Sequence, residues 1–182
     1  MKLIILDRDG VINADSDAYV KHPDEWHALP GSLEAIAQLQ RAGWKVAVAS
    51  NQSGLARGYF DVAALNAMHQ KCLTQLRALG GNIDAFFVCP HGPDDNCNCR
   101  KPSPGMFYDI GRRFDVSLKG VPAVGDSLRD LQASAAAGCT PWLVQTGNGP
   151  KTRQSPELPA NTHFADDLAD VANQLLGSKT ES

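Results

Sequence analysis

Residues 2–10 read KLIILDRDG, an apolar run that stops abruptly at two aspartates and a glycine. The run Lys2–Leu6 has the length and branched apolar composition of a strand that is buried on both faces. Asp7 and Asp9 follow directly, and side chains two positions apart on extended chain point to the same side. The segment therefore predicts a buried strand that ends in a pair of carboxylates facing one point.

The same alternation of apolar runs and helical segments continues along the chain. Further strands are predicted at 45–49, 85–89, 121–124 and 141–144. Helices are predicted at 32–42, 61–79, 104–114, 128–137 and 167–176. Ser32 and Asp61 are predicted to be the N-caps of the first two helices. The segment 147–162 is predicted to be a loop, and 178–182 a frayed tail. Alternating strands and helices predict an α/β fold, a three-layer Rossmann-like parallel sheet with helices on both faces. We predict one domain over 1–182, because no connection is long enough to hold a second one.

Length and composition exclude several classes of protein. The chain has 182 residues, 17 Lys+Arg against 20 Asp+Glu, a formal net charge of −3 and 43% hydrophobic residues. That is enough for one core and excludes a wholly disordered chain. The slight acidity argues against a nucleic-acid surface. No apolar run approaches the roughly 20 residues that span a bilayer, and no signal-peptide core follows Met1. A cytoplasmic protein without nucleic-acid or membrane partners is predicted.

Polar groups follow four of the predicted strands. They are Asp7-Arg8-Asp9-Gly10, Ser50-Asn51-Gln52-Ser53-Gly54, Cys89-Pro90-His91 and Gly125-Asp126-Ser127. In open α/β sheets, ligands bind beyond the carboxyl ends of the strands. Because all four groups fall at that edge, we predict that they form one functional site.

The two aspartates of the first strand end suit phosphoryl transfer. One carboxylate can attack phosphorus while the other donates a proton to the leaving oxygen. Mg²⁺ would offset the repulsion between carboxylate and phosphate, and Asp126 would supply it with a further oxygen ligand. Ser50 and Lys101 can hold phosphate oxygens. Each motif alone has an ordinary alternative: turn aspartates around a salt bridge to Arg8, a polar turn, and a solvated lysine.

A cluster of metal-binding side chains lies just before Lys101. Three thiols and one imidazole occur within eleven residues, at Cys89, His91, Cys97 and Cys99. They complete a tetrahedral Zn²⁺ shell with no open position, which predicts a structural zinc in the loop 89–99. The polar loop has no core of its own, and a metal would order it. The alternative is a chance group of free thiols. Cys72 and Cys139 are predicted to be core residues.

Taken together, these motifs resemble the haloacid dehalogenase superfamily in order and spacing. The resemblance covers about the first 145 residues and rests on Asp7-x-Asp9-Gly10, Ser50, Lys101 and Gly125-Asp126 with Asp130 beyond. It implies that Asp7 is a nucleophile that forms an aspartyl-phosphate and that Asp9 is the general acid/base. It implies that Ser50 and Lys101 bind the phosphate. Asp126 would bind Mg²⁺ together with the Asp7 carboxylate and the Asp9 backbone carbonyl.

Two further features narrow the resemblance. The connections leave no room for a separate cap domain. The segments DRDGVIN, SNQSGLARG, CxH…CxCRKPxPGM and VGDSxxD are similar to the zinc-bearing, cap-less heptose-1,7-bisphosphate 7-phosphatases. This similarity implies Mg²⁺-dependent removal of the C7 phosphate of D-glycero-D-manno-heptose 1,7-bisphosphate, which leaves heptose 1-phosphate for ADP-heptose and lipopolysaccharide core synthesis. It implies substrate contacts from Arg8, Asp15, Tyr19, Asn51, Gln52, Ser53 and Arg100.

Two departures from that pattern bear on details. The spacer between His91 and Cys97 is shorter than in many relatives, so the loop is expected to sit differently over the sugar. Ser127 stands where some relatives have lysine, and it would reach Mg²⁺ only through its backbone carbonyl.

Three alternative functions stay open at this point. They are a histidinol-phosphatase on the same scaffold, a polynucleotide 3′-phosphatase and a catalytically inactive zinc-stabilised module that only binds phosphate. The polynucleotide substrate is disfavoured because the chain lacks a basic stripe. The expected partner is a small sugar bisphosphate, and the expected state of the protein is a monomer.

Overall fold

A computed structural model describes residues 1–177, and the frayed tail predicted at 178–182 lies outside these residues. The strands are β1 (Lys2–Leu6), β2 (Trp44–Asn51), β3 (Ala85–Cys89), β4 (Pro122–Gly125), β5 (Thr140–Val144) and β6 (His163–Ala165). The helices are α1 (Ser32–Arg41), α2 (Val62–Ala78), α3 (Gly105–Phe114), α4 (Leu128–Ala136), α5 (Gly149–Thr152) and α6 (Leu168–Gly177). A 3-10 turn forms at Pro23–Glu25. Over residues 1–177, no helix is both long and apolar enough to cross a membrane.

The six strands form one parallel sheet in the order β3-β2-β1-β4-β5-β6. The chain winds outward from β1 to β3 and then crosses back to β4, on the other side of β1. The winding direction therefore reverses between β1 and β4, and in sheets of this kind ligands bind at that point. The α/β parallel-sheet prediction is confirmed.

The central strand supplies side chains to two separate apolar layers. Ile4 and Leu6 of β1 pack into a layer with residues of α1, α2 and α6. Leu3 and Ile5 point to the opposite face, into a layer with residues of α3. All four are at most 3% exposed, and burying each contributes about 1.5–3 kcal/mol. Because both faces are covered, β1 is an unbroken apolar run, and its polar residues come only where it ends.

The two predicted N-caps have different outcomes. Asp61 caps α2 as predicted, and its side chain accepts a hydrogen bond from the Ala64 amide at 2.8 Å. Ser32 is not the N-cap of α1, because Gly31 occupies that position with a φ of 79°. The Ser32 hydroxyl instead donates to the Val11 carbonyl at 2.8 Å, which ties the start of α1 to the loop after β1.

Two short elements lie where the sequence predicted none. The four-residue helix α5 falls inside the segment 147–162, which was predicted to be a loop, and β6 follows this segment. Strand β6 has three residues, and two of them are exposed. So short an edge strand has no room for an alternating apolar pattern, which is the signal that sequence analysis reads.

Candidate active site

The residues that follow β1, β2 and β4 surround a cavity of about 230 Å³ at the carboxyl edge of the sheet. Ten of the predicted site residues line it: Asp7, Asp9, Asp15, Tyr19, Asn51, Gln52, Ser53, Arg100, Lys101 and Asp126. Six lining residues carried no predicted site role: Ser16, Val20, Arg57, Arg129, Asp130 and Asn148. Three of the four predicted strand-end groups therefore meet at this cavity, whereas Cys89-Pro90-His91 does not line it.

The floor of the cavity is organised by the buried ammonium group of Lys101, which is 3% exposed. Its Nζ donates to Asp7 Oδ1 at 3.0 Å and to the Ala49 carbonyl at 2.7 Å, and it pairs with Asp130 Oδ1 at 2.7 Å. Burial by itself would lower the pKa of Lys101, but the charges of Asp130 and Asp7 outweigh burial and raise the pKa. The cavity floor therefore carries a fixed positive charge beside the Asp7 carboxylate.

Asp130 links this ammonium to the first turn of α4. Its Oδ2 accepts hydrogen bonds from Ser127 Oγ at 2.8 Å, from the Ser127 amide at 3.1 Å and from the Asp126 amide at 3.2 Å. Burial opposes ionisation, but Lys101 and these donors lower the pKa of Asp130 below its ordinary value. Sequence analysis gave Asp130 no role, although Ser127 followed three residues later by an acidic residue is a helix N-terminal signature.

The Asp9 carboxylate is held by donors on several sides. It accepts from Arg8 Nη2 at 2.9 Å, from Asn13 Nδ2 at 2.8 Å and from Gln52 Nε2 at 2.9 Å. Burial alone would raise the pKa of Asp9, but the Arg8 charge and these hydrogen bonds lower it. The side chain keeps 21% exposure, and the residue lines the cavity. Before a ligand binds, Asp9 is thus an ionised and oriented carboxylate that a ligand in the cavity can reach.

Arg8 was predicted to contact substrate, and the structure places it elsewhere. The residue is 2% exposed and is absent from the cavity lining. Successive side chains on extended chain point to opposite sides. With Asp7 and Asp9 facing the cavity, Arg8 faces the core. There its Nη1 lies 3.5 Å from His69 Nε2. The correction is that Arg8 contacts Asp9 from below and does not border the cavity.

The last residue of β2 and the residue after it hold Lys101 and Ser50 in place. The Asn51 side chain accepts from the Lys101 amide at 3.0 Å and donates to the Lys101 carbonyl at 3.1 Å. Gln52 Nε2 donates to Ser50 Oγ at 2.8 Å. The Asn51 amide group is therefore paired with the Lys101 backbone, although the residue itself borders the cavity, and Ser50 lies buried behind the lining.

Asp7 and Asp126 fit a hard divalent cation. Oxygens of Asp7, Asp126 and Asp130 lie within 4.8 Å of one another, and Asp130 is already paired with Lys101. Burial and then the Asp130 charge raise the pKa of Asp126 to about 7, and the same two causes raise the pKa of Asp7. Two carboxylates that are driven toward neutrality at one point are what a bound Mg²⁺ would relieve, and oxygen is its preferred ligand.

Glycines make room for the Asp126 carboxylate. Gly10 has a φ of 84° and Gly147 a φ of 55°, and a Cβ at either position would overlap the Asp126 side chain. The Asn148 amide then donates to Asp126 Oδ2 at 2.8 Å. The chain therefore closes around this carboxylate from both β1 and β5.

Ser127 begins helix α4, and its carbonyl has partners there. Its carbonyl accepts hydrogen bonds from the Asp130 amide at 3.1 Å and the Leu131 amide at 3.4 Å. As the N-cap residue of α4, it directs that carbonyl along the helix. The Ser127 carbonyl is thus already bonded within the first turn of α4, and its contact with Mg²⁺ stays a prediction.

The four predicted zinc ligands come together on the loop after β3. Their ligand atoms all lie within 4.8 Å of one another. The Cys89 and Cys97 sulfurs are 3.7 Å apart, and His91 Nδ1 is 3.3 Å from the Cys99 sulfur. Sulfur ligands about 2.3 Å from a tetrahedral Zn²⁺ would be separated by about 3.8 Å, which the Cys89–Cys97 pair matches. The Cys89 and Cys99 sulfurs are closer, at 2.9 Å, so the cluster could hold this ion once those two side chains move apart. Cys72 and Cys139 are buried in the two apolar layers, as predicted.

The rim of the cavity carries charged and aromatic side chains. Arg100 Nη1 donates to the His91 carbonyl at 3.3 Å, which joins the rim to the cysteine loop. Tyr19 has a φ of 65°, and its ring lies 5.0 Å from the ring of Tyr59. Arg57 and Arg129 come from the chain after β2 and from α4. The positions of these rim side chains relative to one another depend on loop paths that no local sequence pattern indicates.

Comparison with known proteins agrees with this geometry. The family model described as Polynucleotide kinase 3 phosphatase matches residues 2–128, and one described as HAD-hydrolase-like matches residues 98–171. A D-glycero-beta-D-manno-heptose-1,7-bisphosphate 7-phosphatase from Bordetella bronchiseptica is 68% identical over 97% of this chain and 98% of that protein. The protein of the same name from Pseudomonas aeruginosa is 55% identical over 96% of this chain and 97% of its own.

A solved structure extends the match to three dimensions. The crystal structure of D,D-heptose 1,7-bisphosphate phosphatase from B. bronchiseptica, complexed with magnesium and phosphate, superposes with a TM-score of 0.97. It is 67% identical, and the match covers 98% of this chain and 99% of that one. The chain belongs to the family of the D-glycero-beta-D-manno-heptose-1,7-bisphosphate 7-phosphatases, within the haloacid dehalogenase-like hydrolases.

Proposed function

We propose that this protein hydrolyses the C7 phosphate of D-glycero-beta-D-manno-heptose 1,7-bisphosphate and releases heptose 1-phosphate and inorganic phosphate. One observation carries the proposal: the Asp7 carboxylate lies 3.0 Å from a buried ammonium on the floor of a cavity that Asp9 also lines. That arrangement can bind a phosphate, attack it and protonate its leaving group. The family membership supports the choice of sugar.

The first step is transfer of the phosphoryl group to the protein. The charge of the bound phosphate would raise the pKa of Asp9, so that Asp9 takes up a proton from solvent when the substrate binds. A carboxylate oxygen of Asp7 then attacks phosphorus, the bond between phosphorus and the C7 oxygen breaks, and Asp9 gives its proton to that oxygen. The products are an aspartyl-phosphate and the free primary alcohol. A Mg²⁺ ion, when held by the Asp7 and Asp126 carboxylates and the Asp9 backbone carbonyl, would offset the repulsion between Asp7 and the phosphate.

The second step returns the protein to its starting state. A water molecule attacks phosphorus of the aspartyl-phosphate, and Asp9 takes the proton that the water loses. The bond between phosphorus and the Asp7 oxygen breaks, which releases inorganic phosphate. Asp9 thus ends the cycle with the proton that it gave up in the first step.

The phosphate oxygens are proposed to be held at the ends of β2 and of the cysteine loop. Lys101 supplies a positive charge at the cavity floor. Ser50 is 1% exposed and does not line the cavity, and it is proposed to reach the phosphate through its hydroxyl, to which Gln52 donates. Asn51 keeps Lys101 in position through its backbone. The sugar and its distal phosphate would then face the rim, at Asp15, Tyr19, Gln52, Ser53 and Arg100.

The setting of the reaction is part of the proposal. We assign residues 1–182 to one phosphatase domain that acts as a monomer in the cytoplasm and supplies ADP-heptose synthesis. The cytoplasm is supported by the cysteine cluster, whose thiols bind zinc only when they are reduced.

A substrate panel tests the proposed function. Purified protein with Mg²⁺ is assayed for phosphate release from heptose 1,7-bisphosphate, histidinol phosphate, a 3′-phosphorylated oligonucleotide and p-nitrophenyl phosphate. We expect kcat/KM to be highest for the heptose bisphosphate, with release of only one phosphate per sugar. A higher value for histidinol phosphate or the oligonucleotide would assign the protein to another phosphatase class. No turnover of any ester would leave a binding module.

A further inference from the structure

A buried pair of side chains lies beneath the site, and the mechanism above does not use it. Arg8 and His69 are 2% and 8% exposed, and neither borders the cavity. A buried arginine is costly unless its charge and donors are paired. Here the pairing partner is Asp9, which the proposed function makes the general acid/base.

The contact between Arg8 and Asp9 fixes the plane of the carboxylate. Arg8 Nε and Nη2 both donate to Asp9 Oδ1, at 3.1 and 2.9 Å, and Nη2 also approaches Oδ2 at 3.3 Å. A guanidinium presents its donors in a rigid plane, so such contacts restrict rotation of the carboxylate as well as its position. A lysine ammonium at the same place would supply charge without that plane.

Arg8 is in turn supported from behind. Its Nη1 lies 3.5 Å from His69 Nε2, and the His69 ring stacks on Phe86 with ring centroids 4.1 Å apart. Arginine is a donor only, so Nε2 must be the unprotonated nitrogen and accept. Burial, followed by the Arg8 charge, lowers the pKa of His69 to about 4, which keeps the ring neutral. Helix α2 and strand β3 thus set where the guanidinium sits.

We infer that Arg8 and His69 are positioning residues that orient the Asp9 carboxyl group toward the leaving oxygen of the substrate. The inference rests on the proposed function, because it requires Asp9 to transfer a proton. Neither residue touches substrate. Their loss should therefore affect proton transfer to the leaving oxygen more than binding of the phosphate.

Leaving-group dependence separates this role from a merely structural one. A primary alkyl phosphate such as the C7 ester needs a proton on the departing oxygen, whereas p-nitrophenolate leaves as a stable anion. If the Asp9 carboxyl group is misplaced, cleavage of the alkyl ester should therefore slow much more than the first-turnover burst of p-nitrophenol release. The ratio of the two rates, measured in one sample, does not depend on the fraction of protein that is folded.

The test uses Arg8→Lys, His69→Leu and His69→Gln, with Leu76→Val as a control. Leu76 is buried on the same helix, seven residues beyond His69. General acid catalysis contributes about 10²–10⁴-fold, and small misplacements cost a large part of it. We expect the alkyl-to-aryl rate ratio to fall about 10- to 100-fold in Arg8→Lys and about 3- to 10-fold in His69→Leu. The KM for the alkyl ester should stay within about twofold.

Comparing the two His69 variants tests whether the hydrogen-bond acceptor at this position is what matters. His69→Gln keeps an acceptor for Arg8 Nη1 and should restore the ratio to within about twofold of wild type, and Leu76→Val should leave it unchanged. An unchanged ratio in Arg8→Lys, or equal loss in the two His69 variants, would overturn the inference. If the wild-type protein hydrolyses another alkyl phosphate but not the heptose bisphosphate, the proposed substrate fails and the ratio is taken on that ester. If it hydrolyses no alkyl phosphate, the acid role of Asp9 and this inference fail together.

Discussion

The floor of the cavity and the cysteine loop beside it are positioned by different means. On the floor, groups at the ends of regular strands hold the reactive side chains. Lys101 Nζ binds the Ala49 carbonyl at 2.7 Å, and the Asp7 amide binds the Val124 carbonyl at 2.9 Å. The loop 89–99 has no helix or strand beyond Cys89, and most of its residues are exposed. The polypeptide therefore builds the floor, while the loop carries four side chains that could hold a metal ion.

This difference separates the expected effects of substitutions in the two regions. Changes on the floor should alter chemistry and leave the fold intact, because the strands stay paired whatever side chains follow them. Changes in the loop should first alter metal content and local order, and only through these the choice of substrate. The following variants test that division, beginning with the largest expected effect.

Asp7→Asn should remove the nucleophile and keep the fold. We expect kcat to fall on the order of 10⁴-fold or more for sugar and aryl phosphates alike, since both need the attacking carboxylate. The melting temperature should not fall, because the change removes one of several crowded carboxylates. Asp109→Asn, on an exposed part of α3, serves as the matched control and should retain wild-type kcat. Near-normal turnover by Asp7→Asn would contradict the covalent mechanism.

Asp126→Asn should stabilise the metal-free protein while damaging activity. Burial and the Asp130 charge raise the pKa of Asp126 to about 7, so the folded state favours its neutral form. Stability from this group is then full below pH 3.8 and is lost as pH rises toward 7. At pH 8 without metal, the permanently neutral asparagine should add on the order of 2 kcal/mol, or roughly 4–8 °C in melting temperature. Activity with Mg²⁺ should fall about 100- to 1000-fold. A lower melting temperature for the variant would contradict the predicted repulsion between the Asp126 and Asp130 carboxylates.

Cys97→Ser tests the loop without touching the floor. Wild-type protein should contain about one zinc per chain, and the variant distinctly less, by elemental analysis. The activity on heptose bisphosphate should fall on the order of 100-fold, because Arg100 and Lys101 directly follow the last ligand. Aryl phosphate turnover should fall less. Cys139→Ala, which changes a thiol outside the cluster, should keep full zinc content. Wild-type protein that was never exposed to chelator and contains no zinc would refute the site.

Arg100→Ala tests the residue that lies between the cysteine loop and Lys101 on the cavity floor. A charged hydrogen bond to the sugar or its distal phosphate is worth roughly 1.5–3 kcal/mol, or about 10- to 100-fold in kcat/KM. We expect that loss with the bisphosphate and a much smaller one with aryl phosphate. Arg112→Ala, on the exposed face of α3, controls for removal of a positive charge. Equal losses on both substrates would mean that Arg100 only screens the acidic site.

The regular part of the fold could be predicted from the sequence because it rests on local patterns. The five longer strands are apolar runs that end at polar residues, and the capping role of Asp61 follows from residue type and position. The short helix α5 and the strand β6 could not be predicted, because a few residues at the edge of a sheet carry no periodic signal. Ser32 misled the analysis for a related reason: its hydroxyl bonds a carbonyl 21 residues away.

The site shows the same division between local and long-range information. The ends of the strands identified which residues meet, since parallel strands bring their carboxyl ends to one edge. They did not reveal what each side chain bonds to. The Asn51 side chain donates a hydrogen bond to a backbone carbonyl 50 residues further along the chain. The Arg8 side chain contacts a histidine 61 residues away. Strand alternation alone would have turned Arg8 away from the cavity, and applying it there would have avoided that error.

The strand order also bears on how the chain emerges from the ribosome. Strand β1 is made first yet lies in the middle of the sheet, and its partner β4 begins about 115 residues later. At translation rates of roughly 5–20 residues per second, one edge of this strongly apolar strand waits about 6–23 s for its neighbour. An open apolar edge is a template for pairing with other chains. The nascent protein is thus most prone to aggregate before residue 122 is translated. Chaperones that bind its first half during synthesis should raise the yield of folded protein.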